Sequence, residues 1–339
     1  MQYRKLGHSN LQVSVLCLGT MMFADQTDQA EAAAIVEDAR NHGVNFIDTA
    51  DVYSKGGSER MVGALIKSAR NDWVLATKLG NKMSERVNEG HYSRAWVTRE
   101  VDESLRRLDT DRIDLLYLHR DYLGMNLEEP LRAIDAQMRA GKVLSWGLSN
   151  FRGWRIAEAV HIARQLGMPG PAACQPYYNL LNRMPEVEIL PACAHHGIGV
   201  VPYSPIARGV LSGKYLPGQA PAADSRAGRG DKRMAETEFR PESLQIAQQL
   251  QTHAQQRGVT LPQFATAWVL ANDAVSSVIA GPRTLAQWQA YLPAIDYRPD
   301  AADEALIDSL VPPGHPSTPG FNDPAYPLAP RRASLSAAG

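Results

Sequence analysis

Short apolar runs alternate along this chain with longer amphipathic stretches. Val15 to Leu18, Asn45 to Ile47, Val74 to Thr77, Leu115 to Leu118, Val143 to Leu148, Ala172 to Cys174, Gly199 to Pro202 and Val275 to Ala280 read as strands. The stretches between them read as helices with start and stop signals. Asp28 opens one that carries Ala33, Val36 and Ala39 and stops at Asn41-His42-Gly43. Thr98 is placed to cap a helix with Val101, Leu105 and Leu108 on one face. Pro130 starts another, with Ile134 and Met138 inward, that ends at Gly141.

Spacing turns these elements into an architecture. Gly19, Asp48, Lys78, His119, Ser149, Gln175 and Tyr203 mark successive strand ends, roughly 30 residues apart, which is one βα unit per step. A regular run of such units predicts a single-domain α/β fold, a closed (β/α)8 TIM barrel over residues 1–311. A doubly wound sheet is the alternative, but neither GxGxxG nor GxxxxGK[ST] occurs. The step from Tyr203 to Gly281 is far longer than the others. Within it, residues 216–240 are rich in Gly, Pro, Ala and charge and read either as a surface insertion or as a long loop after strand seven that covers a ligand. Residues 312–339 form a Pro-rich C-terminal tail, expected as an extended strap with disorder from Arg331.

Composition narrows the partners. In 339 residues, 35 Lys and Arg stand against 36 Asp and Glu, and no long basic run occurs, which removes the usual basis for binding nucleic acid or an anionic membrane. With 44% hydrophobic and 21% charged residues the chain reads as globular, and no apolar run reaches the length of a membrane span. Arg4 and Lys5 precede an apolar stretch, but it is too short for a secretory signal and has no small-x-small site after it. Cys17, Cys174 and Cys193 lie far apart without metal spacing and read as buried, reduced thiols. The expectation is a cytoplasmic protein with a small-molecule partner; oligomeric state is not readable from these features.

Four reactive residues fall at the strand ends where a barrel holds its active site: Asp48, Tyr53, Lys78 and His119. Each alone has a structural reading as a cap, a surface charge or a core histidine. Together they suggest a proton donor. A free phenol titrates near pH 10, too high to move a proton readily at neutral pH, and an adjacent ammonium lowers it. Asp48 would keep that ammonium charged, and His119 would hold a substrate oxygen beside the phenol. No nucleophile is evident, and no metal site is expected: His195-His196 are adjacent on a helix, and no HxH follows a strand.

The runs FIDTADVYSKGGSE, VLATKLG, LLYLHRD, WGLSNF, QPYYNLLNR, VPYSPIARGVLSGKY and GPRTLAQW, in this order over residues 3 to about 311, resemble the aldo-keto reductase superfamily. The resemblance implies reversible hydride transfer between NADP(H) and a carbonyl or alcohol without metal, with Asp48, Tyr53, Lys78 and His119 as the catalytic set and Tyr53 as proton donor. It carries cofactor contacts to Gly19, Thr20, Met21 and Asp48; to Ser149, Asn150 and Gln175 for the carboxamide; and to Tyr203 for stacking on the nicotinamide. Ser204, Pro205, Ala207, Gly209, Leu211 and Lys214 fall on the pyrophosphate loop. Gly281, Arg283, Thr284 and Gln287 fall around the 2′-phosphate, and Arg283 favours NADP(H) over NAD(H). Tyr291 stands where the family often has an Asn on the adenine. Met22, Phe23, Tyr122 and Trp154 follow strand ends and are candidates for an apolar substrate pocket. Two rival readings are a regulatory cofactor-binding protein similar to the β subunits of potassium channels and a metal-dependent hydrolase on the same fold.

Overall fold

The computed structural model of the chain describes residues 1–327. Eight parallel strands form one sheet in the order β10-β3-β4-β5-β6-β7-β8-β9, where the strands are β3 Leu16–Gly19, β4 Phe46–Asp48, β5 Val74–Leu79, β6 Ile113–Leu118, β7 Val143–Ser149, β8 Ala173–Gln175, β9 Gly199–Val200 and β10 Val278–Ala280. The sheet closes between its two ends. Val200 N donates to Ala274 O, Ser276 N to Val200 O and Ile279 N to Pro202 O, so the last neighbours join and no sheet edge remains there. The result is the expected (β/α)8 barrel.

The last strands are shorter than the apolar runs suggest. Pro202 has no N–H to give, so β9 stops at Val200, while Val275 forms a lone bridge to Val200 ahead of β10. Helix boundaries follow the caps. Asp28 accepts from Glu31 N and opens the helix Gln29–Asn41 as expected. The helix assigned to Thr98 starts earlier: Ser93 accepts from Trp96 N and caps Arg94–Leu108, while Thr98 lies inside it and donates to Arg94 O at 2.9 Å. Pro130 sits in the first turn of Glu128–Arg139, where the missing N–H has no acceptor to lose.

A feature with no counterpart in the sequence reading is the N-terminal hairpin of β1 Tyr3–Lys5 and β2 Gln12–Ser14. Leu6 and Val13, both fully buried, join Cys17, Phe46, Ala76, Leu115, Tyr117, Ala173, Val201 and Ile279 in a cluster inside the barrel. The hairpin therefore plugs the end where the strands begin and leaves the opposite end free. The larger apolar cluster lies between strands and helices.

Candidate active site

Strand alternation builds the open end. Phe46, Ala76, Tyr117, Ala173, Val201, Cys17 and Ile279 or their neighbours on the same face fill the interior, and two residues further on each of these strands points into the same space. The positions two residues on are Asp48, Lys78, His119, Gln175, Tyr203, Gly19 and Gly281. Seven different strands thus deliver polar or side-chain-free positions to one mouth, above an apolar floor. Gly19 has no room for more: a Cβ there would lie 2.5 Å from Ile279 Cγ2.

Lys78 is the centre of the polar layer and is fully buried. Its ammonium has three N–H groups and three partners: the Asp48 carboxylate, Thr49 O at 2.7 Å and Tyr53 Oη at 3.2 Å. Gln175 Nε2 donates to the second Asp48 oxygen at 2.9 Å. Burial opposes the charge on Lys78, but Asp48 and Tyr53 outweigh it and hold its pKa above the ordinary lysine value. Burial pushes the Asp48 carboxyl up, opposed by Lys78 and Gln175.

Tyr53 reaches this layer from a tight turn, residues Tyr53–Gly56. Ser54 and Lys55 there have φ of 48° and 51°, and Ser54 Oγ donates to Phe23 O at 3.1 Å. Burial raises the Tyr53 pKa, and the lowering by Lys78 does not overcome it. The sequence expectation of a depressed phenol is corrected here: Lys78 pulls in the expected direction, but desolvation of the phenolate is the larger effect. The His119 ring stands edge-on to Tyr53, with centroids 6.0 Å apart and planes at 82°. Burial, Lys78 and Arg120 together drive its pKa well below 6.5, so the imidazole is neutral.

A cavity of about 500 Å³ runs from this layer across the barrel mouth. Asp48, Tyr53 and His119 line it, and Lys78 lies directly behind them. So do Gly19, Thr20, Met21, Met22, Ser149, Asn150, Gln175, Tyr203, Ser204, Pro205, Gly209, Lys214, Gly281, Arg283, Gln287 and Tyr291. A chain of hydrogen bonds orients one wall: Tyr203 Oη donates to Asn150 Oδ1 at 2.8 Å, and Asn150 Nδ2 donates to His119 O and Ser149 Oγ, each at 3.0 Å.

Other sequence candidates lie elsewhere. Ala207 and Leu211 are fully buried beneath the loop whose backbone they shape, and Thr284 caps the helix Leu285–Tyr291 by accepting from Gln287 N. Phe23 is core. Tyr122 donates to Gly80 O at 2.9 Å and packs on Tyr92, and Trp154 is 53% exposed on the surface. Following a strand end does not suffice to face the mouth, because the loop decides the direction.

Residues 216–240 are tethered over the cavity. Arg229 Nη2 donates to Gln26 Oε1 at 2.7 Å and Arg283 Nη1 to Asp224 O at 3.5 Å, which ties the segment to the loops after β3 and β10. Ser225, Arg226, Arg229 and Arg233 thereby line the cavity, as do Arg120, Arg208, Ala325 and Tyr326. Arg120 carried a signal, its place directly after His119. The approach of Tyr326 carried none, since no local pattern shows where a tail returns.

The description "Aldo/keto reductase family" matches residues 15–312 of the chain. The chain is 38% identical over 306 residues to a probable voltage-gated potassium channel subunit beta of Arabidopsis thaliana, covering 88% of this chain and 92% of the relative. It is 37% identical to a protein of the same description from Oryza sativa subsp. japonica, covering 92% and 97%. It is 33% identical to the uncharacterized oxidoreductase YrpG of Bacillus subtilis, covering 92% and 96%. A barrel with this layer at its mouth defines an oxidoreductase scaffold, and the chain belongs to the aldo/keto reductase family.

Proposed function

We propose that the protein is an NADPH-dependent reductase that converts an aldehyde or ketone to an alcohol, reversibly. The observation that carries the reading is Lys78, whose three N–H groups are divided among Asp48, Thr49 O and Tyr53 Oη. The donors along the cavity suit a dinucleotide. Ser149, Asn150 and Gln175 match the two faces of a carboxamide, Tyr203 offers an aromatic edge, and Lys214, Arg226, Arg229 and Arg283 suit phosphates. Bound there, the nicotinamide would supply the hydride that goes to the carbonyl carbon.

Tyr53 then donates its hydroxyl proton to the carbonyl oxygen as negative charge develops on it. A phenol with a raised pKa keeps that proton until the oxygen demands it. Lys78, held charged, stabilises the phenolate left behind, and Asp48 with Gln175 holds Lys78 in place. His119, neutral, offers an N–H to the same oxygen without competing as an acid. The near-neutral charge and the three free, buried cysteines support a cytoplasmic setting and a small-molecule partner. The test is NADPH consumption over a panel of aldehydes and ketones, repeated with alcohols and NADP⁺. Turnover of a class of carbonyls is expected; none in either direction overturns the reading.

The identity to proteins described as potassium channel β subunits favours a second reading, a cofactor-dependent partner protein. A pull-down beside the turnover assay separates the two, since regulation alone predicts a bound partner with no turnover.

A further inference from the structure

We propose that Arg120 anchors a carboxylate on the substrate, so that the preferred carbonyl compound is an anionic one. This rests on the carbonyl-reductase reading above and names its substrate class.

The charge on the cavity wall is one-sided. Among the described lining residues Asp48 is the only acid, and its carboxylate is engaged by Lys78 and Gln175. Two cations there have carboxylate partners, Arg226 with Asp231 at 2.8 Å and Arg233 with Asp323 at 2.6 Å; Arg208 stands 3.7 Å from Glu238, which burial keeps protonated, and lies on the segment after β9. Lys214, Arg229 and Arg283 have none among the described residues, but they stand on the segments after β9 and β10, at the end assigned to the cofactor's phosphates. Arg120 also lacks a carboxylate partner among the described residues and stands elsewhere, directly after His119 at the end of β6. Its Nε is buried without a hydrogen-bond acceptor among the described residues.

Arg120 is also held rigidly. Its backbone is clasped by Tyr92, whose hydroxyl donates to Arg120 O at 2.8 Å and accepts from Arg120 N at 3.0 Å. Its guanidinium lies by the ring of Tyr122, 5.3 Å from the centroid, and by that of Tyr326, 5.1 Å from the centroid, and Nη2 donates to Ala325 O at 2.7 Å. Packing on two rings and one fixed hydrogen bond restrain its orientation before a ligand arrives. A desolvated N–H on a fixed cation costs free energy unless an acceptor meets it, and the guanidinium edge matches the two oxygens of a carboxylate. Tyr53, His119 and Arg120 line one cavity, so a carbonyl oxygen at Tyr53 and His119 and an acid group at Arg120 would share a single space.

The competing account is that Arg120 only fastens the tail. The experiment compares 4-formylbenzoate with its neutral methyl ester as substrates of the wild type, Arg120→Met and Arg152→Ala. Arg152 Nη2 donates to Pro327 O at 2.7 Å, so Arg152→Ala loosens the tail; it also gives up a 3.8 Å approach to Asp121, which Arg155 still holds at 3.0 Å, and leaves the partners of the Arg120 guanidinium in place. Arg120→Met is expected to lower the acid-to-ester ratio of kcat/KM by roughly 10- to 100-fold, mainly through KM for the acid, as loss of a charged hydrogen bond implies. Arg152→Ala is expected to leave the ratio unchanged. Equal losses for acid and ester in Arg120→Met, or the same change of ratio in Arg152→Ala, would overturn the assignment. If Arg120→Met does not fold by circular dichroism, Arg120→Lys, which keeps the charge but not the fork, is expected to show a smaller drop, and no drop overturns it. Calorimetric titration with benzoate and benzamide, with and without NADP⁺, reads the same anchor without turnover. Benzoate binding that needs Arg120 supports the anchor even where no carbonyl is reduced, an outcome that sinks only the reductase reading. Benzoate binding unaffected by Arg120→Met, or absent from the wild type, sinks the anchor.

Discussion

Lys78 shows how one side chain can organise a site. An ammonium sunk in a barrel is stable only with its charge matched and its N–H groups used, and the partners that do this also set the position of Tyr53. Tyr53→Phe removes the proposed proton donor and one partner of Lys78 while keeping the ring at the cavity wall. It is expected to keep cofactor affinity and to lose turnover by roughly 10²- to 10⁴-fold where the chemical step limits the rate. Fluorescence titration and steady-state kinetics on the same preparation check both halves. Arg283 offers a second test. Its backbone is fixed by its own N–H donating to Gln287 Oε1 at 2.9 Å, while its side chain lines the cavity without a carboxylate partner among the described residues. Arg283→Ala is expected to weaken NADPH binding by roughly 10- to 150-fold and to leave NADH binding nearly unaltered. Equal losses for both nucleotides would make Arg283 a support of the fold.

Strands and loops contribute differently. The strands need only alternate, and each then presents its next inward position at the mouth. The segment 216–240 depends on contacts far away in the chain, and its short helix Lys232–Thr237 is joined to the tail by the bidentate pair of Arg233 and Asp323. Bridging loops after β3, β9 and β10, this segment is expected to tighten when phosphates meet Arg226 and Arg229. Hydrogen exchange with and without NADP⁺ should show slower exchange there. Protection that stays the same would make it a plain surface insertion.

The same junction ties the stability of the molecule to pH. Glu238, buried at the end of that helix, is pushed up to about 8 by burial, with Arg240 opposing and Asp323 adding to the rise. Its folded pKa lies above the ordinary 4.5, so the native state holds a proton that the unfolded chain has already lost. Its contribution to stability is complete below about pH 4.5, declines as pH rises toward 8 and is gone above it. Glu238→Gln keeps the shape without the charge, so its melting temperature should fall less than that of the wild type between about pH 5 and about pH 8.5. Parallel slopes in the two proteins would mean that other groups govern the dependence.

Much of this is legible in the amino-acid sequence. The βα repeat, Asp48, Lys78 and His119 at strand ends, and most of the cavity wall follow from local patterns, because period-two alternation and strand-end position are properties of short stretches of chain. The chain by itself also determined its family, through motifs whose order and spacing span the barrel. Three things were decided only by tertiary structure. The N-terminal hairpin plugs the barrel floor because Leu6 and Val13 find the interior cluster, a contact between residues far apart in sequence. The Tyr53 pKa rises because burial, a property of the closed barrel, outweighs an adjacent cation. And Phe23, Tyr122 and Trp154, alike in following strand ends, part company while Arg120 and Tyr326 meet over the cavity. A strand's direction is set by its neighbours in sequence, but a loop's direction and a tail's return are set by whatever they pack against.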